Sequence, residues 1–145
     1  MKKYIIRKNK HYSFSNPLER LISFKWNVKK ICCEFVFTKS CWWENPRNQD
    51  DEDINKLCGI KFGFFGIHKN SVRLGWKPSF DNSNKILIYS YCYVNGNRIF
   101  TKICYVDTEK IIKAKIEIND ENIIFNVNKN IYTIWIKQPF KKTLG

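Results

Sequence analysis

Between Ile86 and Val106 the chain reads ILIYSYCYVNGNRIFTKICYV, and strict alternation sets Tyr89, Tyr91 and Tyr93 on one side of a strand. Ile86, Ile88, Cys92 and Val94 fall on the other. Successive strand side chains point to opposite faces, so one row is core and the other is a line of phenol rings. Such rings stack on the apolar faces of sugars or on nucleobases, while hydroxyls and a guanidinium orient the ligand. Asn95-Gly96 supplies the reversal, because both central positions of a type I′ turn need positive φ. A two-residue turn there sets the pairing: Val94 faces Asn97, Cys92 faces Ile99 and Ile88 faces Ile103. On the opposite surface Tyr93 faces Arg98, Tyr91 faces Phe100, Tyr89 faces Lys102 and Leu87 faces Cys104. The candidate ligand-binding residues are therefore Tyr89, Tyr91, Tyr93, Arg98 and Phe100, with Trp76 as a further aromatic. A second layer or a partner subunit would also fit this row, provided each hydroxyl finds a partner.

Other chemistries are poorly supplied. His68 lies in GIHKNSVRLGW near Ser71, but no nucleophile elbow surrounds that serine. A hydrolase would also want an orienting acid, so His68 reads as a turn residue making local hydrogen bonds. Glycoside hydrolysis needs two facing carboxylates, and nothing in the spacing brings Glu34 and Glu117 together. The run Asp50–Asp53 lacks EF-hand spacing and reads as a solvated loop. No Gly-rich phosphate loop is present. The six cysteines include no C-x-x-C, which argues against zinc. Cys33, Cys58, Cys92 and Cys104 fall in strand-like runs and read as small buried apolar residues, expected as free thiols. The expectation is a non-enzyme with no metal and no cofactor.

With 145 residues, 43% hydrophobic and 16% aromatic, the chain is too apolar for a disordered tail and long enough for a proper core. Residues 1–145 read as one domain. The formal net charge is +13, which favours an anionic partner, nucleic acid among them. A chain rich in Lys, Asn and Ile also arises from an AT-rich genome, where surface lysines accumulate without function. The excess is concentrated in a basic segment, 1–30, whose Lys2, Lys3, Arg7, Lys8 and Lys10 are candidate polyanion-binding residues. No stretch has the apolar length of a signal peptide or a membrane span. The expected location is cytoplasmic or virion-associated, with oligomerisation open.

These side chains are positioned by short alternating runs separated by turn chemistry. Strands are expected at Lys30–Thr38, Leu57–Phe65, Val72–Trp76, on both sides of Asn95-Gly96, and at Ile112–Ile118, Ile123–Val127 and Ile131–Lys137. Pro17–Trp26 carries helical spacing behind a Ser15 or Asn16 cap, giving one short N-terminal helix. About eight strands joined mostly by short turns indicate an antiparallel β-sandwich of jelly-roll type, with an open barrel as the alternative.

The runs HKNSVRLGW (His68–Trp76) and ILIYSYCYVNGNR (Ile86–Arg98) resemble small uncharacterised β-sandwich proteins of Bacteroidetes-type bacteria and their phages. The resemblance covers roughly the second half of the chain. It implies a concanavalin-like jelly roll, a fold used by lectins and glucanases, and a further glycine- and aromatic-rich strand after Leu144-Gly145. Fold alone does not confer activity. Three functions remain: a non-catalytic, lectin-like carbohydrate-binding module; a basic nucleic-acid-binding accessory protein; or a phage or virion structural protein whose tyrosine face meets a partner.

Overall fold

Period-two alternation builds almost everything that follows. A computed structural model describes residues 28–41, 54–62, 68–79 and 85–136. The candidate helix Pro17–Trp26, the basic residues Lys2, Lys3, Arg7, Lys8 and Lys10, Trp42, Trp43 and the run Asp50–Asp53 lie outside the described residues. Among the described residues eight strands form: β1 (Lys30–Phe35), β2 (Asn55–Lys61), β3 (Ser71–Pro78), β4 (Lys85–Val94), β5 (Asn97–Asp107), β6 (Ile112–Ile118), β7 (Asn122–Val127) and β8 (Asn130–Trp135). A 3-10 turn, Lys39–Cys41, follows β1.

The strands make two antiparallel four-stranded sheets, sheet A in the order β1-β6-β7-β8 and sheet B in the order β2-β3-β4-β5. The molecule is thus mostly β, an antiparallel β-sandwich. Sheet B is a meander, as is β6-β7-β8, and β1 adds to β6 at the edge of sheet A. The sheets approach each other along two margins, β1 beside β2 and β5 beside β8.

The core lies between the sheets. Sheet A contributes Ile112, Ala114, Ile116 and Ile118 from β6, and Ile123, Phe125 and Val127 from β7. Sheet B contributes Val72 and Leu74 from β3, with Ile86, Ile88 and Cys92 from β4. Burying one such large aliphatic or aromatic side chain stabilises a fold by about 1.5–3 kcal/mol, and β-branched residues suit the pleated surface. The turns follow local chemistry too. Asn95 and Gly96 sit at φ 51° and 88°, the left-handed pair a type I′ turn requires.

The outer face of sheet A pairs its charges both across and along its strands. Glu34 on β1 meets Lys113 on β6 at 3.6 Å, and Glu117 on β6 meets Lys115 at 2.8 Å and Lys30 at 3.5 Å. Glu34 and Glu117 therefore serve lysines, not one another. The hydrogen bond from Lys115 is the main reason the Glu117 carboxyl lies below its ordinary 4.5. A hydrogen bond from Lys110 likewise holds Asp107 below 3.8. Carboxyls with depressed folded-state pKa values stabilise the fold above their unfolded values and lose that as pH falls through the folded ones. Stability is accordingly expected to hold down to about pH 5 and decline below about pH 4.5, slightly, because both carboxyls remain in contact with solvent that screens their pairs. Urea midpoints at pH 6 and pH 3 test this, and Glu117→Gln should reduce the difference.

Candidate functional site

The hairpin β4–β5 has the expected register at its turn end. Val94 pairs with Asn97, Tyr93 with Arg98, Cys92 with Ile99, Tyr91 with Phe100 and Tyr89 with Lys102. Beyond that a bulge between Ile88 and Tyr89 changes the count, and Ile88 pairs with Cys104, Leu87 with Tyr105. The expected pairs Ile88–Ile103 and Leu87–Cys104 are thereby corrected. An extra residue on β5 turns Ile103 and Cys104 both towards the core and brings Tyr105 onto the tyrosine face, as a bulge re-aims the side chains after it.

The same period extends this face across sheet B. Ser71, Arg73, Gly75 and Lys77 of β3 pair with Tyr93, Tyr91, Tyr89 and Leu87. On β2, Lys61, Gly59 and Lys56 pair with Ser71, Arg73 and Gly75. Aromatic rings on β4 and β5 are thus interleaved with Lys56, Lys61, Arg73, Lys77, Arg98 and Lys102. Among the described residues of these strands the one acid is Asp107, at the end of β5.

Trp76 is not part of it. It pairs with Ile88 on the inner side of β3, packs against the core and lies 5.0 Å from Phe37, ring to ring. Counting alternation along β3 from Val72 and Leu74 would have placed it inward and shown Arg73 and Lys77 outward.

Burial grades across the face. Tyr91, at its centre, is only 3% exposed. It is flanked by Gly75, where an added Cβ would collide with the Ile54 side chain and touch Tyr91, so glycine lets Ile54 settle against the sheet. Tyr89 and Tyr93 are half-buried. Phe100 is 39% and Tyr105 38% exposed on the edge strand β5. The expected row therefore divides: Tyr91 is structural, and a ligand would meet Tyr89, Tyr93, Phe100 and Tyr105. Its rings are mutually packed, Tyr91 stacking on Phe100 at 6.5 Å and 22°, Tyr93 and Tyr89 edge-on to Tyr91 and Phe100 respectively.

Cations ride on these rings. Lys56 Nζ stands 5.1 Å from the Tyr91 centroid, Lys77 Nζ 5.9 Å from Tyr89, Arg98 Cζ 5.3 Å from Phe100 and Lys102 Nζ 3.8 Å from Tyr105. Arg73 donates to Ser71 Oγ at 3.1 Å, which gives that buried serine a structural partner. Burial lowers the Arg73 pKa, yet a guanidinium stays charged in proteins. The Tyr93 hydroxyl lies 3.4 Å from that of Tyr91, and this contact, ahead of burial, raises its pKa. Burial first, then the neighbouring Tyr105, raises that of Tyr89. Both phenols thus stay protonated at neutral pH.

The His68–Asn70 turn clamps the hairpin from the side. Asn70 Oδ1 accepts from the Asn95 amide at 2.8 Å, and the Lys69 carbonyl accepts from the Gly96 amide at 2.8 Å. His68 is exposed and sets its ring edge-on to Tyr93 at 5.1 Å. Asn70 escaped the sequence reading because its contact spans 25 residues. Losing that acceptor would remove a part-buried hydrogen bond, a net loss of about 0.5–1.5 kcal/mol. Asn70→Ala is therefore expected to lower the urea midpoint and to speed amide exchange at Asn95 and Gly96.

A concavity of about 310 Å³ on the outer face of sheet A, bordered by Glu34, Lys113, Lys115 and Asn126, is the competing location. Its Glu34 is paired with Lys113, and no aromatic ring borders it. Among the described residues no three His, Cys, Asp or Glu side chains gather as a metal site, and no helix is long and apolar enough to cross a membrane. Comparisons with protein-family models, with curated proteins and with solved structures find no match.

Proposed function

We propose that the chain is a non-catalytic binding module whose outer sheet B face takes single-stranded nucleic acid. The observation that carries this reading is the interleaving of rings with cations on β2 to β5. Bases stack on aromatic side chains at about 1–3 kcal/mol each, and phosphates gain from lysine and arginine by releasing counterions.

The seated cations weigh against a neutral sugar, the leading expectation from the tyrosine row alone. Each exposed cation–π contact is worth about 0.5–1 kcal/mol. A sugar stacking on Phe100 or Tyr105 would take the ring from Arg98 or Lys102 and offer that cation no anion in exchange. A nucleic-acid strand offers a phosphate to each displaced cation and a base to each uncovered ring.

Fluorescence anisotropy with a labelled oligo(dT) tests this. Engaging four to six phosphates should make log K fall against log salt with a slope of about −3 to −4. Absent binding at low salt, or a salt-independent affinity, would overturn the reading, and binding on a neutral glycan array instead would restore the carbohydrate one.

A further inference from the structure

Two cysteines face each other across the gap between the sheets. Cys33 lies on the inward row of β1 with Ile31 and Phe35, while Lys30, Cys32 and Glu34 point out. Cys58, on β2, pairs with core Leu74 of β3. These are edge strands of different sheets, meeting at one margin of the sandwich. The two sulfurs stand 3.1 Å apart, both thiols free.

We propose that Cys33 and Cys58 form a redox-active dithiol that a disulfide-class oxidant converts into a single intersheet disulfide. The bond length to be reached is about 2.05 Å, so the sulfurs have roughly 1 Å to travel, a shift that two edge strands can supply. The other strand cysteines differ: Cys92 is sealed in the core, and Cys32 points away from the sheet gap.

The two thiols have distinct roles. The contact with the Cys58 thiol lowers the Cys33 pKa although burial opposes it. The same contact, then burial, pushes Cys58 up. Cys33, half-buried, is the thiolate that opens the reaction. With glutathione disulfide, the Cys33 thiolate attacks one sulfur, a Cys33–glutathione bond forms, and one glutathione thiolate leaves and takes up the proton Cys33 lost. Cys58 gives its proton to solvent and attacks the Cys33 sulfur. The second glutathione then leaves as thiolate and is protonated in turn. Two cysteine thiols are oxidised and one disulfide is reduced to two thiols.

This inference is independent of what the tyrosine face binds. The test treats the folded chain with glutathione disulfide, blocks remaining thiols with iodoacetamide and maps unreduced peptides by mass spectrometry. A Cys33–Cys58 cross-link should dominate and persist in Cys32→Ser, while Cys58→Ser should stop at glutathione on Cys33. The oxidised chain should melt roughly 10 °C higher, since the bond closes a loop spanning the two sheets. Cys33 and Cys58 both found alkylated, glutathione persisting on Cys33 of the unsubstituted chain, or Cys33 bonded to another cysteine would each overturn the proposal.

Discussion

Phe125→Ala is expected to lower the free energy of unfolding by about 3–5 kcal/mol, the range for truncating a buried aromatic residue. Phe125 is fully buried at the middle of β7, paired with Ile116 of β6 on one side and Tyr132 of β8 on the other. Removing the ring would leave a cavity between the sheets, bordered by side chains already in register on three strands. A core packed as densely as a crystal closes such a void only in part. Against a typical total of about 5–15 kcal/mol, that loss leaves many domains barely folded. Ile131→Ala on the next strand is the contrast: Ile131 is 67% exposed, and its loss should change stability by less than about 0.5 kcal/mol. Urea denaturation of the three proteins decides the matter, and equal midpoints for Phe125→Ala and the unsubstituted chain would refute the packing described.

Phe100→Ala with Tyr105→Ala should weaken oligo(dT) binding by about tenfold to a hundredfold, from the loss of two stacking platforms at about 1–3 kcal/mol each, partly replaced by neighbouring rings. Both rings project from edge strand β5 and are more than a third exposed, so the fold should tolerate the change, and an unaltered circular dichroism spectrum confirms that. The substitutions also release Arg98 and Lys102 from their ring partners. The charges remain, so the salt slope should stay near that of the unsubstituted chain while the affinity falls throughout. Tyr91→Ala belongs to another class. It removes a sealed ring that packs on Phe100 and Tyr93, and its first consequence should be a lower melting temperature.

Much of this was legible in the sequence. Alternation gave the β class and the two-sheet arrangement, and it placed Ile112–Ile118 with the same ends the strand has. Asn95-Gly96 predicted both the turn and the pairs Tyr93–Arg98, Tyr91–Phe100 and Tyr89–Lys102. What escaped was whatever depends on an interruption of the period or on contacts distant in sequence. The bulge on β5 is one: nothing in Thr101–Cys104 announces an extra residue, and it decides that Tyr105, not Cys104, joins the rings. Burial of Tyr91 is another, because the side chain beside it comes from Ile54 through the space at Gly75. The thiol pair is a third, since residues 33 and 58 meet only when two sheets are stacked. Trp76 differs from these, because the parity of β3 already places it inward.

The most direct measurement is a map of chemical-shift changes when oligo(dT) is added to isotopically labelled protein at low salt. Binding on the outer face of sheet B predicts the largest shifts at Tyr93, Arg98, Phe100, Lys102 and Tyr105, with Ile124 and Trp135 on sheet A unmoved. Shifts centred on sheet A, or none anywhere at saturating oligonucleotide, would contradict it.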